Sequence, residues 1–136
     1  MTLGRAILTL LVALLLAGCA SQVSRDLGAD RLVTRKAERD LIAAMQDYED
    51  GNYKSASKRF QSALDEGLTF KSDQIRAYKH LAFIHCISNR ERACRDAFRA
   101  AFDIDPKFEL SAAEIGHPLW GPVYQSVRNE VARRAK

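Results

Sequence analysis

Three cysteines and three histidines hold most of the reactive chemistry this chain of 136 residues could offer, and their spacing decides what it is. His80, His85 and Cys86 invite a metal reading. His80 and His85 are five residues apart, about 140° around a helix, so they share a face poorly, and no fourth ligand stands nearby. No metal and no cofactor is expected, and His85 reads as a hydrogen-bonded, half-buried core imidazole. His117, between Gly116 and Pro118, could serve as a general base only beside a nucleophile or an oriented acid, and no motif supplies one. It reads as a turn residue whose ring bonds a helix end. The acids Glu49, Asp50, Asp103 and Asp105 fall at helix ends and read as solvated or turn-forming. No catalytic residue, enzyme activity or small-molecule substrate is expected. Cys86 and Cys94 have seven residues between them, and whether they pair depends on the elements that carry them. Cys19 stands apart. It ends a predominantly apolar run, Ala6 to Leu16, that follows Arg5 and closes on Ala17 and Gly18.

A cationic start, a short apolar core and small residues before a cut describe an export signal. The run is too short for a mature membrane helix, which needs about 20 apolar residues. The string Leu16-Ala17-Gly18-Cys19 resembles the lipobox of bacterial lipoproteins. That resemblance implies cleavage before Cys19 and acylation of its thiol and of the new N-terminus, so the only attached group is a covalent lipid. Several acyl chains anchor stably where one binds marginally. An Asp directly after the lipidated Cys tends to retain such proteins in the inner membrane. Ala20 stands here, which implies the periplasmic face of the outer membrane. Residues 1–18 are then the signal. Residues 19–30 form the lipidated Cys and a polar tether of roughly ten residues, reaching a few tens of ångströms when extended.

About a hundred residues remain, enough for one core. Strand alternation and Asn-Gly or Asp-Gly turns are missing, while apolar residues recur at steps of three and four. The spacing predicts a helix from Arg31 to Glu49, carrying Leu41, Ala44, Met45 and Tyr48 and ended by Gly51. A second carries Tyr53, Ala56, Phe60 and Ala63 and ends at Gly67. A third starts near Ser72 as N-cap and carries Ile75, Tyr78, Leu81, Ala82, His85 and Cys86. A fourth runs from about Glu91 to Ile104 and is stopped by Asp105-Pro106. Ser111-Ala112-Ala113-Glu114 reads as a capping box. Trp120, Val123, Tyr124, Val127 and Val131 line a last helix, with Pro122 tolerable in its first turn. The net charge is +4, and one less without Arg5. Both signs are interspersed, so nucleic acid is not an expected partner.

The two hairpins match at an offset of 38 residues. Gly51, Tyr53, Ala56, Phe60, Ala63 and Leu64 align with Asn89, Glu91, Cys94, Phe98, Ala101 and Phe102. This pattern resembles the tetratricopeptide (TPR) repeat. Ala44, Ala56 and Ala63, then Ala82, Cys94 and Ala101, fill its small positions, and Pro106 its closing proline. The usual unit is about 34 residues, so the stretch Gly67 to Lys71 would hold the insertion, and the first unit lacks the proline. The fold class expected is all-α: TPR-like hairpin repeats at residues 31–68 and 72–106, with C-terminal capping helices at 111–136. Two units are too few to seal a stack, so His117, Trp120 and Tyr124 are expected to form a structural cap, with Trp120 largely buried. On this reading Cys86 and Cys94 lie on opposite arms of one hairpin, within disulfide range. The spacing is similar to the cystines that clamp helices in Sel1-like secreted repeats. Two small buried thiols remain the alternative, because the Cys86 slot of the repeat tends to face the groove.

The stretch His80 to Cys86, then Cys94, Phe98, Asp105-Pro106, Phe108, Leu110 and Gly116-His117-Pro118-Leu119-Trp120-Gly121-Pro122, resembles the TssQ-like lipoproteins, short TPR lipoproteins associated with type VI secretion. The resemblance covers nearly the whole chain. It implies a non-catalytic scaffold or accessory near an envelope-spanning secretion machine. An outer-membrane assembly or pilotin-like lipoprotein is the alternative, and a cell-wall glycan binder a more distant one. The repeat register puts Leu41, Met45, Tyr48, Arg76, Lys79, Phe83 and Ile87 in an inner groove, with Glu38, Glu49 and Cys86 beside them. An apolar stripe with a charged rim suits a helix or peptide of a protein partner. The C-terminal helix filling that groove is the competing possibility. Arg92, Arg95 and Arg99 form a row on the fourth helix, read as a solvated face partly paired with Asp96 and Asp103.

Overall fold

A computed structural model describes residues 35–135. The signal segment, Cys19, the tether, and Leu32 and Val33 of the first expected helix lie outside the described residues. Six helices follow: α1 (35–49), α2 (Tyr53–Glu66), α3 (Lys71–Ile87), α4 (Glu91–Ile104), the one-turn α5 (Ala112–Ile115) and α6 (Gly121–Arg134). No strand occurs among the described residues. The fold is all-helical, with sequential helices packed in pairs.

Backbone chemistry sets most of the boundaries. Gly51 and Gly67 both take positive φ, a conformation that costs other residues a Cβ clash, and so they turn the chain after α1 and α2. The Gly67 N–H donates to the Leu64 carbonyl and closes the last turn of α2. Asn89, also at positive φ, makes the tight turn between α3 and α4. The start of α3 departs from expectation. Phe70, in extended conformation, holds the N-cap position, so Ser72 lies inside the first turn and caps nothing. The Gln74 side chain donates to the Leu68 carbonyl and fixes the approach.

In the first hairpin α1 and α2 run antiparallel, joined by a polar seam. Lys36 meets Glu66, the Ser62 hydroxyl donates to Asp40 at 2.7 Å, and Asp47 accepts from Ser55 and Arg59. The Ser62 bond holds the Asp40 carboxyl below its ordinary pKa. Beneath the seam Ala37, Ala44, Ala56 and Ala63 are fully buried, which lets the two backbones approach closely. Beside them Phe60 is fully buried, a contribution of about 1.5–3 kcal/mol. Thirty-eight residues on, Ala82, Cys94, Ala101 and Phe98 are equally inaccessible. The two hairpins thus use the same positions for close contact.

The C-terminal segment closes the structure in two places. Helix α6 lies on α4, where Tyr124 packs against Phe98, Phe102 and Phe108 and its hydroxyl donates to the Phe108 carbonyl at 3.0 Å. Arg95 reaches Ser126 and Glu130, and Arg99 reaches Glu130 as well. Glu130 takes Arg95, Arg99 and Arg134 together. The arginine row is therefore an α4–α6 seam at Arg95 and Arg99 rather than a solvated face, and Asp103 pairs with neither. Only the Asp96–Arg99 pair is as expected. Ser111 and Glu114 form a reciprocal capping box on α5.

Candidate functional site

The candidate groove lies on the inner faces of α1 and α3. Helix α3 is the central element: it packs on α2 and α4, and the α5 segment meets it from the groove side. Both of its flanks are therefore buried, with Ala77, Leu81 and Ile84 along one stretch of its surface and His80 and Phe83 along another.

The groove is not open along its length. Lys79 does not stand free on its rim, because its ammonium pairs with Glu114 of α5. Burial pushes the Glu114 carboxyl up, but bonds from Lys79 and from Ser111 outweigh it, and the net pKa is lowered. Phe83 is buried, not a groove anchor, because the Trp120 indole stacks on it at 4.2 Å between centroids. These two placements correct the groove assignment at Lys79 and Phe83: two helical units leave the Phe83 face uncovered, and the cap seals it. The covering elements are α5 and the turn before α6. The last helix itself lies on α4 and does not fill the groove.

The remaining groove residues divide by exposure. Leu41 is buried in the core and offers no contact. Met45, Tyr48 and Ile87 are half-buried, and Arg76 is exposed beside Asp73. Ile42, 63% exposed and one turn before Met45, adds an apolar contact that the repeat register did not single out. Ile42, Met45, Tyr48, Arg76 and Ile87 are what remains accessible.

The histidines exchange roles. His80, not His85, is the hydrogen-bonded core imidazole. Its Nδ1 lies 2.7 Å from the Arg76 carbonyl, and its ring is stacked on Phe60 and edge-on to Tyr48 and Phe83. Burial lowers its pKa. His85 is half-buried, but its Nδ1 has no partner among the described residues, and burial, then the Arg90 charge, lower its pKa too.

The cap residues meet as expected in part. His117 lies parallel against Trp120, and its Nδ1 accepts the Leu119 N–H on the approach to α6. The Trp120 indole N–H donates to the Glu114 carbonyl at 2.8 Å. Trp120 is half-buried and not enclosed, since His117 only partly shields its outer face. Gly121 is required where it stands: a Cβ there would collide with the Ile115 carbonyl oxygen. The Sγ atoms of Cys86 and Cys94 stand at disulfide distance, with Cα atoms 5.2 Å apart across the α3–α4 hairpin. Neither side chain faces solvent, so Cys86 serves the hairpin and not the groove.

Among the described residues, no group of three or more His, Cys, Asp or Glu is placed to hold a metal ion. No described helix is long and apolar enough to cross a membrane. Comparison with family models, with curated proteins and with solved structures finds no match.

Proposed function

We propose that this chain is an acyl-anchored, TPR-like scaffold that binds a protein partner at the periplasmic face of the outer membrane. Its role is that of an accessory to an envelope secretion assembly of the type VI kind. It acts by binding alone, without catalysis, cofactor or nucleic acid. The observation that carries the reading is the repeat of full burial at a fixed offset. Ala44, Ala56, Phe60 and Ala63 in the first hairpin are matched by Ala82, Cys94, Phe98 and Ala101 in the second. Stacked hairpins with that pattern build extended interaction surfaces. The lipobox-like Leu16-Ala17-Gly18-Cys19 supplies the anchor. Tethering raises the local concentration of a small surface, so modest affinity suffices.

The accessible strip from Ile42 to Ile87 joins apolar contacts to the Arg76 guanidinium, a combination suited to an amphipathic helix with an acidic edge. Photo-crosslinking from position 42 or 45 of the full chain in living cells tests the reading. A secretion-machine component captured with intact Cys19, and lost with Cys19→Ser, is the expected result. Capture of an outer-membrane assembly factor in its place would move the assignment to the assembly or pilotin-like class. Glycan without protein at the crosslink would end the scaffold reading.

A further inference from the structure

A cleft of about 290 Å³ opens between the first turns of α2 and the C-terminal end of α3, and Tyr53 at its edge meets the Tyr48 ring edge-on. Lys54, Lys58 and Arg90 line it, together with the hydroxyl-bearing residues Tyr53, Ser57 and Ser88. None of the three cations takes part in a salt bridge among the described residues, whereas nearby Arg59 is neutralised by Asp47. The acids nearest in sequence, Glu49, Asp50 and Glu91, do not line it. Ile84 is the one aliphatic residue of its lining among the described residues.

The lining is donor-rich and without a carboxylate. Ammonium and guanidinium groups only donate, and hydroxyls donate readily to an anion. Three like charges around one hollow repel one another until an anion enters. A carboxylate offers two oxygens to this set. A phosphate offers three or four, spread tetrahedrally, and the Arg90 fork can take two of them. Helix α2 adds the positive end of its dipole, since it starts with neither a side-chain cap nor an acid in its first turn. We infer that this cleft binds a phosphate group, carried by a phospholipid headgroup or free in solution. The site borders the protein-binding strip at Tyr53 but shares no residue with it, and the inference does not rest on that strip.

Amide spectra of the full chain carrying Cys19→Ser, held in nonionic detergent, test the inference. Inorganic phosphate, added at constant ionic strength, should give saturable shifts at Lys54, Ser57 and Ser88. Lys58→Gln with Arg90→Gln should weaken that binding at least tenfold while leaving the melting temperature unchanged, because both side chains are exposed. Dihexanoyl phosphatidylglycerol and dihexanoyl phosphatidylcholine separate the sources. Saturation by phosphatidylglycerol below the phosphate concentration needed assigns a lipid headgroup, and saturation by inorganic phosphate alone assigns a free phosphate. Saturation by acetate at equal concentration, no saturation by any phosphate, or binding retained in the double variant overturns the inference.

Discussion

The indole of Trp120 lies over the phenyl ring of Phe83, 4.2 Å between centroids and 20° from parallel, and this contact closes the inner face of α3. His117 stacks on the indole and shields it in part, and the Glu114 carbonyl takes its N–H. Loss of the ring would expose Phe83 to water and remove the indole donor from that carbonyl, which keeps the His117 backbone N–H.

Trp120→Ala is expected to cost about 3 kcal/mol, at the low end for aromatic truncation because the indole is half-buried. For a domain of this size that lowers the thermal midpoint by about 10 °C or more. Thermal unfolding followed by circular dichroism measures it. A variant with an unchanged midpoint would assign Trp120 to a partner surface instead.

Gly121→Ala should destabilise although it adds a single methyl group. The new Cβ meets the Ile115 backbone, which cannot swing aside as a flexible side chain would. Overpacking of this kind costs about 1–3 kcal/mol. Gly116→Ala is the matched control, since a Cβ there has ordinary van der Waals room. Equal midpoints for the two variants would contradict the tight fit at the start of α6.

The Cys86–Cys94 pair clamps the two arms of the second hairpin. A bond closing so short a loop contributes about 2–3 kcal/mol. Alkylation of non-reduced protein drawn from the cell envelope should leave both thiols unlabelled, and the Cys86→Ala, Cys94→Ala variant should melt about 10 °C lower. Labelling of both thiols without reductant would favour the buried-thiol alternative.

His80 gives stability a pH dependence of defined sign. Its pKa is lowered in the folded chain, so the unfolded chain takes up the proton first. Stability is full above the ordinary histidine value of about 6.5 and is lost as pH falls from there through the folded pKa. His80→Phe should flatten the midpoint between pH 7.5 and 5.5, with a smaller slope left by His85, which shifts the same way. An undiminished slope in His80→Phe would mean that another group carries the acid sensitivity.

Helix identity was legible where local chemistry decides it. Gly51, Gly67 and Pro106 mark chain reversals by their own backbone limits, and α4 follows the apolar spacing from Glu91 to Ile104. The start of α3 was not legible, because the extended Phe70 and the Gln74–Leu68 bond set it, not a capping hydroxyl. The same helix hid its partners. Its second half, from Leu81 to Ile87, is apolar nearly all round, so periodicity cannot say which flank meets α2, which meets α4 and which meets the cap. That is why Phe83 read as a groove anchor and His85 as the core imidazole. Glu114 was legible as the N3 acid of a capping box, but its reach to Lys79 is a long-range pairing without a local signature. Glu130 gathers three arginines for the same kind of reason.

The central claim, an anchored helical scaffold, meets its most direct test at Cys19. Intact-mass measurement of the mature protein extracted from the outer membrane should find a chain beginning at Cys19 and bearing acyl chains on that residue. A chain cut elsewhere, or one that begins at Cys19 with a free thiol and amine, would contradict the account.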